Sequence, residues 1–322
     1  MTLVEREALS RMSIRDAVGR ALLALGEADP DVVVITADVA RSTRTAWFGQ
    51  RFPRRFVNIG ISEQDMVDFA AGLALAGKKP YAAAFAMFLM RAWEQIRNTV
   101  DRMNLDVKLI GTHSGFSDHG DGASHQSLED IALMRVLHNM TVVVPADPPQ
   151  AYKAVLAVHD HVRGPAYIRV GRDYSPPVTD PDAEYVLGRL ETLREGSDAA
   201  VITAGPVAAN ALAAAELLER RLGVAVAVYN LHTVKPLDAW GLARVAQRHG
   251  VVFVVEEHFP RGGIFGAVVE TLAQLHPVPV YPVAATGYGH SARSVMDLYR
   301  AQGLDAEGIA RRIAEKLSEH RA

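Results

Sequence analysis

The sequence predicts an α/β protein of two domains, each a mostly parallel sheet covered by helices. Two observations predict it. Short β-branched apolar runs alternate with helix-length amphipathic segments along the chain. The alternation stops at the proline-rich polar stretch YSPPVTDPDAE, residues 174–184, and then restarts. The expected division is a first domain over residues 1–178, a linker over 179–188 and a second domain over 189–322. A chain of 322 residues is long enough for two domains of ordinary size.

The elements follow in order. Ser13 is placed to cap a helix over residues 15–26, with Asp16 as the acid that completes a capping box. Residues 32–37 form a buried apolar run, expected as a strand. Ser62 is expected to cap a helix over residues 63–76, with Asp65 as its box partner and Gly77 as its stop. A strand over 80–85, a helix over 87–102 and a strand over 108–112 come next, then a polar glycine-rich loop over 114–124. A helix over 128–135, a strand over 141–144, a helix after Pro148 and a strand over 166–170 complete the first domain. In the second, strands are expected over 199–203, 224–229, 251–255 and 278–283, with helices over 207–221, 238–248, 264–275 and 306–317. No short-period repeat is present.

Composition narrows the function. The formal net charge is -3, and the densest basic group, Arg51, Arg54 and Arg55, is too small for a nucleic-acid footprint. The absence of cysteine excludes disulfides, cysteine-ligated metals and cysteine nucleophiles, and is compatible with a cytoplasmic protein. The N-terminal MTLVEREALSRMS carries charges where a secretory signal needs an apolar run. The most apolar region, residues 69–90, is interrupted by Gly77-Lys78-Lys79-Pro80, so no membrane span is expected there.

Several residues could carry chemistry. Glu63 opens a helix close in sequence to the aromatic pair Phe85 and Phe88. Taken by itself it reads as an acid that offsets the helix dipole. The loop HSGFSDHGDGASHQ holds His113, His119 and His125 with Asp118 and Asp121. It follows an expected strand, where open parallel sheets bind ligands, although its glycines and serines also suit a solvated loop. Its spacings are not those of a compact zinc site, and no metal is expected on this chain. Arg169 and Arg172 follow another strand and could clamp a phosphate or carboxylate. In HFPRGGIFG the glycines are expected to allow close helix–strand packing.

In ISEQDM, FAMFLMRAWEQIRN and the histidine loop ending DGASHQ, the chain resembles the pyrimidine-binding and C-terminal domains of the transketolase family, thiamine-diphosphate enzymes. The resemblance spans essentially the whole chain. It implies that Glu63 bonds the aminopyrimidine N1′ and, with His125, is catalytic. It implies that Phe85, Phe88 and Arg91 border the cofactor. His125 then reaches the sugar carbonyl and hydroxyls, and Asp121 reads a substrate hydroxyl. Arg15, Ser42, His113 and Arg172 match the phosphate end, with Asp38 in a strand-end ADxxxS element. Arg169 joins the substrate set by likeness to deoxyxylulose-phosphate synthases, which also have arginine at the position of Arg91.

One departure matters. The triplet Gly120-Asp121-Gly122 lies inside the histidine loop and does not match the family's magnesium motif. The resemblance therefore implies the C-terminal subunit of a split transketolase. A separate N-terminal subunit would hold the diphosphate and a magnesium or calcium ion, in a heterotetramer of two chains of each kind acting on sugar phosphates. Three alternatives stand beside it: the beta subunit of a 2-oxoacid dehydrogenase, a deoxyxylulose-phosphate synthase fragment, and a non-catalytic assembly partner.

Overall fold

The structure, a computed structural model, describes residues 3–321. Among the described residues twelve strands form two sheets. They are β1 (Val32–Thr36), β2 (Phe56–Asn58), β3 (Lys79–Phe85), β4 (Lys108–Thr112), β5 (Thr141–Val143) and β6 (Ala166–Arg169), then β7 (Glu191–Arg194), β8 (Ala199–Thr203), β9 (Val226–Asn230), β10 (Thr233–Lys235), β11 (Val252–Glu256) and β12 (Val280–Ala284). The first sheet runs β10-β5-β6-β4-β3-β1-β2 and the second β12-β11-β8-β9-β7. Only the β10–β5 and β7–β9 pairings are antiparallel. The short edge strands β2, β7 and β10 escape sequence patterning because none carries a long apolar run.

Both faces of the first sheet are buried, and alternate residues divide between them. Val32 and Val34 pack with Leu22 of the helix Ile14–Ala28 and Val155 of the helix Pro148–His161. Val33 and Ile35 face the other way, into a core continuous with Ile202, Ala227 and Val254 of the second sheet. The second sheet's far face packs on the helices Ala208–Leu222 and Ala306–Arg321. The two units are therefore not separable along the chain. β10, from the second unit, pairs Thr233 with Val143 and completes the first sheet. Among the described residues no helix is long and apolar enough to cross a membrane.

Local chemistry explains where helices begin. The Ser13 hydroxyl accepts from the Asp16 amide at 3.2 Å, and the Asp16 carboxylate accepts from the Ser13 amide at 3.3 Å. A box of this kind contributes about 1 kcal/mol. The box expected at Ser62 does not form. Ser62 holds φ -153° and ψ 76°, against -73° and 159° at Ser13, so its hydroxyl does not fold back over the first turn. The helix expected over 87–102 is also broken up. It runs as Ala86–Leu89, a 3-10 turn Met90–Ala92, Trp93–Gln95 and a π-turn Ile96–Asp101. The wider winding turns the adjacent Val100 and Asp101 both inward, where Asp101 accepts from the amides of His138 and Asn139, each at 3.0 Å.

The glycines of HFPRGGIFG serve packing. A Cβ on Gly263 would meet Glu256 Oε2 at 2.4 Å and His258 Nδ1 at 2.6 Å. Glu256 accepts from the amides of Ile264 at 2.7 Å and Phe265 at 3.1 Å. A protein carboxylate thus closes the helix Ile264–Leu275 where an external anion could have bound.

Burial pushes the Glu256 carboxyl up to about 8, against those two amides and Arg169. Its folded value lies above its unfolded one, so its contribution to stability is complete at acid pH and lost as pH rises through about 8. Glu256→Gln should flatten the fall in stability between about pH 4.5 and about pH 8, by at most about 1.4 kcal/mol per pH unit for one proton. Glu257, pushed up to about 7 mainly by burial, titrates in the same direction in both proteins. Denaturant unfolding at several pH values checks this; identical slopes would place the titration elsewhere.

Candidate active site

The order of strands gathers the site. β2 leads to Glu63, β1 to the loop with Asp38 and Ser42, β3 to Phe85 and Phe88, β4 to His113, and β6 to Arg172. These strands are parallel, so the residues meet along one carboxyl edge in that spatial order. The chain leaves β1 for β2 on one side and returns to β3 on the other, which opens a crevice there. Asp38, Arg44 and His113 all hold positive φ, at 61°, 64° and 57°, and all three lie in loops or turns at this edge. Such strain marks places where the surroundings dictate the backbone.

Four rings form a chain across the crevice. Phe85 stacks on His113 with centroids 3.7 Å apart and on Phe88 at 4.9 Å. Phe88 meets His125 edge-on at 5.6 Å. Glu63 is 7% exposed at the first position of the helix Glu63–Leu75, which packs against β3. Among the described residues its carboxylate accepts no hydrogen bond. A buried carboxylate without a protein donor suits a ligand N–H.

A polar relay fixes the state of His113. Arg15 Nη1 lies 3.4 Å from His113 Nε2. Arginine can only donate, so Nε2 accepts and the proton sits on Nδ1. Nδ1 donates to Thr112 Oγ1 at 2.9 Å, and Thr112 Oγ1 donates to the Ala84 carbonyl at 3.3 Å. Burial, then Arg15 and Arg172, push the His113 pKa down to about 3. The imidazole is neutral at every physiological pH.

The other end of the crevice is cationic. Arg15 Nη1 also donates to the Ser42 carbonyl at 3.1 Å, and its buried Nε has no partner. Burial, then Arg44 and Arg172, lower the Arg15 pKa. Arginines that repel one another around an unpaired N–H favour an anion between them. Asp118 sits beneath, 1% exposed, and accepts from Arg172 Nη1 at 3.2 Å. Burial and then Asp121 raise its pKa. The donor atoms of Asp118, Asp121 and His125 lie within 4.8 Å of one another. Arg172 already meets part of this charge.

The structure thus brings Arg15, Ser42, Phe85, Phe88, His113, Asp121, His125 and Arg172 to one edge, with Glu63 at its β2 end. Arg91 lies exposed on the 3-10 turn beyond Phe88. Arg169 stands apart from this group. Its side chain is 2% exposed and its Nε donates to Asp130 at 2.8 Å, with Nη2 on the carbonyls of Ser127 and Glu257. The side chain is enclosed by Asp130, Ser127 and Glu257. Sequence reasoning missed Thr112, Asp130 and Glu257, and named Asp118 only as a member of the histidine loop.

Residues 10–177 match the family model of the transketolase pyrimidine-binding domain, and residues 188–309 that of the transketolase C-terminal domain. One of the subunits of an apulose-4-phosphate transketolase from Phocaeicola vulgatus is 36% identical over 91% of this chain and 94% of its own length. A 1-deoxy-D-xylulose-5-phosphate synthase 2 from Geobacter sulfurreducens is 38% identical over 92% of this chain, but over 47% of its own. Among solved structures, a split gene transketolase described as an inactive beta4 tetramer superposes with a TM-score of 0.86 at 39% identity. The match covers 95% of this chain and 98% of that one.

Two measurements check the geometry. Nitrogen NMR of the His113 ring should show the Nδ1–H form with no titration between pH 8 and about 4, since the folded pKa is about 3. Because that value lies below the unfolded one, the ring's contribution to stability is complete above about 6.5 and lost as pH falls toward 3. A midpoint near 6.5 would show a solvated ring and a broken relay. Arg169→Ala should cost about 3–5 kcal/mol of stability, because Asp130 is left buried without its partner. A variant that unfolds like the wild type would reject that role.

Proposed function

The chain belongs to the transketolase family, and we propose that it is the C-terminal subunit of a split transketolase. It transfers a two-carbon ketol unit from a ketose phosphate to an aldose phosphate, together with a separate diphosphate-binding subunit. The observation that carries the reading is the pairing of two incomplete ends in one crevice. Glu63 is a buried carboxylate without a protein donor, and Arg15 is a crowded cation with an unpaired buried N–H. A protonatable ring would complete the first and a sugar phosphate the second.

The family implies thiamine diphosphate, and the residues present fit its pyrimidine end. Glu63 would hold the proton at the pyrimidine N1′, with Phe85 and Phe88 as the flat wall and Arg91 at the rim. Bound thiamine diphosphate supplies the nucleophilic carbon and the electron sink for carbon–carbon cleavage and formation. His125 would exchange a proton with the substrate oxygen beside the breaking bond, and Asp121 would accept from a sugar hydroxyl. His113, neutral and held by its relay, would direct a fixed ring face without adding charge. Arg15 and Arg172, with the Ser42 hydroxyl, would hold the phosphate and orient the sugar for reaction.

The diphosphate and its magnesium or calcium ion fall to the N-terminal subunit in this reading, in a heterotetramer of two chains of each kind. The near end-to-end match to one subunit of an apulose-4-phosphate transketolase supports it. So does the likeness to a split gene transketolase whose beta4 tetramer is described as inactive. Likeness to a deoxyxylulose-phosphate synthase gives the second reading. Of the two arginines behind that reading, Arg169 is held by Asp130.

Mixing the chain with its candidate N-terminal subunit, thiamine diphosphate and magnesium should produce ketol transfer that neither chain gives alone. Glu63→Ala should fold and assemble but lose about 10²–10⁴-fold in turnover, the usual scale for a positioned acid–base group. Full turnover in that variant rejects the role of Glu63. Decarboxylation of a 2-oxoacid without ketol transfer would instead support the synthase or dehydrogenase readings.

A further inference from the structure

We propose that Glu257, from the C-terminal domain, is a positioning residue for the loop that carries His113, Asp121 and His125. The inference rests on the split-transketolase reading only for what that loop does once it is in place.

The loop leaves β4 at His113 and returns at Ser127. Its ends are joined by a small antiparallel bridge, with Gly115 N to Ser127 O at 2.9 Å and Ser127 N to Gly115 O at 3.2 Å. Glu257 follows β11 directly and is 3% exposed. Its Oε1 accepts from the Phe116 amide at 2.6 Å. Gly115 holds φ +63°, and a Cβ there would lie 2.3 Å from Glu257 Cδ. Only glycine allows the carboxylate to come that close. Tyr299 stands near the same carboxylate and favours its charged form. Arg169 ties the two sides together, donating to the Ser127 carbonyl at 3.2 Å and the Glu257 carbonyl at 3.0 Å.

The C-terminal domain holds the loop at two further points. Gly289 N donates to Gln126 Oε1 at 2.6 Å. Ala292 N donates to the His119 carbonyl at 2.8 Å, and the Ala292 carbonyl lies 3.1 Å from His119 Nδ1. The loop is thus gripped near its start, in its middle and near its end by residues more than a hundred positions away.

The energetics favour positioning over plain stability. A buried carboxylate is costly, and an apolar side chain would fill the same space at lower cost. What an apolar side chain lacks is an acceptor for the Phe116 amide. That acceptor fixes the backbone three residues beyond His113, whose ring already stacks on Phe85. A misplacement of about 1 Å in such residues is enough to lose about 10²-fold in rate. The C-terminal domain therefore shapes the substrate end of the site as well as covering the sheet.

The test uses two variants of the full chain. In Glu257→Leu, hydrogen exchange over residues 113–127 should rise at least about tenfold, while the helix Glu63–Leu75 exchanges as in the wild type. In Glu257→Gln the amide oxygen still accepts from Phe116, and exchange should stay at the wild-type level. In the complex with the diphosphate-binding subunit, Glu257→Leu should lower kcat/KM for the ketose phosphate about 10²-fold. Thiamine diphosphate affinity should not change, because Glu63, Phe85 and Phe88 lie outside the loop, and Glu257→Gln should restore turnover. Unchanged loop exchange in Glu257→Leu overturns the proposal, as does loosening shared equally with the helix Glu63–Leu75. If Glu257→Leu does not fold, Tyr299→Phe is measured in its place. A smaller rise confined to the same segment supports the proposal, and no rise overturns it. A wild-type complex without ketol transfer would reject the functional reading and leave the exchange result standing.

Discussion

Everything at the site depends on one constraint: both faces of the first sheet must be buried. A parallel sheet open to water on one side would expose half of its apolar strand residues. Helices Ile14–Ala28 and Pro148–His161 cover one face, and the helix Glu63–Leu75 with the segment after Phe85 covers the other, in a core continuous with the second sheet. The cover leaves the carboxyl edge of the strands free. Loops there are held by a rigid scaffold yet remain open to ligands, which is where such sheets place their chemistry.

The edge divides into two electrostatic regimes. Rings and a neutral His113 make one part apolar, and Glu63 stands at the β2 end of the same edge, 7% exposed and without a matching cation among the described residues. Arg15, Arg44 and Arg172 crowd the other part. Asp16 pairs with Arg44, and Asp118 and Asp173 with Arg172, while among the described residues Arg15 holds no carboxylate and keeps a buried N–H without a partner. A surface of this kind gains most from a ligand that is flat and protonatable at one end and anionic at the other. That physical asymmetry is the link between the fold and the proposed ketol transfer.

Much of the fold was legible in the sequence. The β-branched runs of β1, β4, β8 and β11 are buried on both faces, and continuous apolar composition is what double burial requires. Ser13 and Asp16 satisfy each other within one helical turn, so their box could be read from spacing alone. The Ser62 box could not, because the loop arriving from β2 decides the torsion of Ser62. The break in the helix after Phe85 was hidden for a similar reason. Its π-turn answers to Asp101, which binds backbone from beyond residue 135. The strand β10 carried no legible signal, since it pairs across the expected linker with β5.

The same division holds for the site. The sequence by itself determined which residue types stand at the strand ends, and with them the acid, the aromatic wall, the histidines and most of the cations. Strand ends follow from local patterning, and the sheet then gathers them without further instruction. Only the tertiary structure decided what Arg169 and Glu257 do. Arg169 reads from sequence as a strand-end arginine ready for an anion, and folding sets Asp130 against it, 39 positions away along the chain. Glu257 reads as the end of an apolar strand, and folding carries it across 141 positions to the Phe116 amide. Neither contact has a periodicity, so neither could be read before the chain was folded.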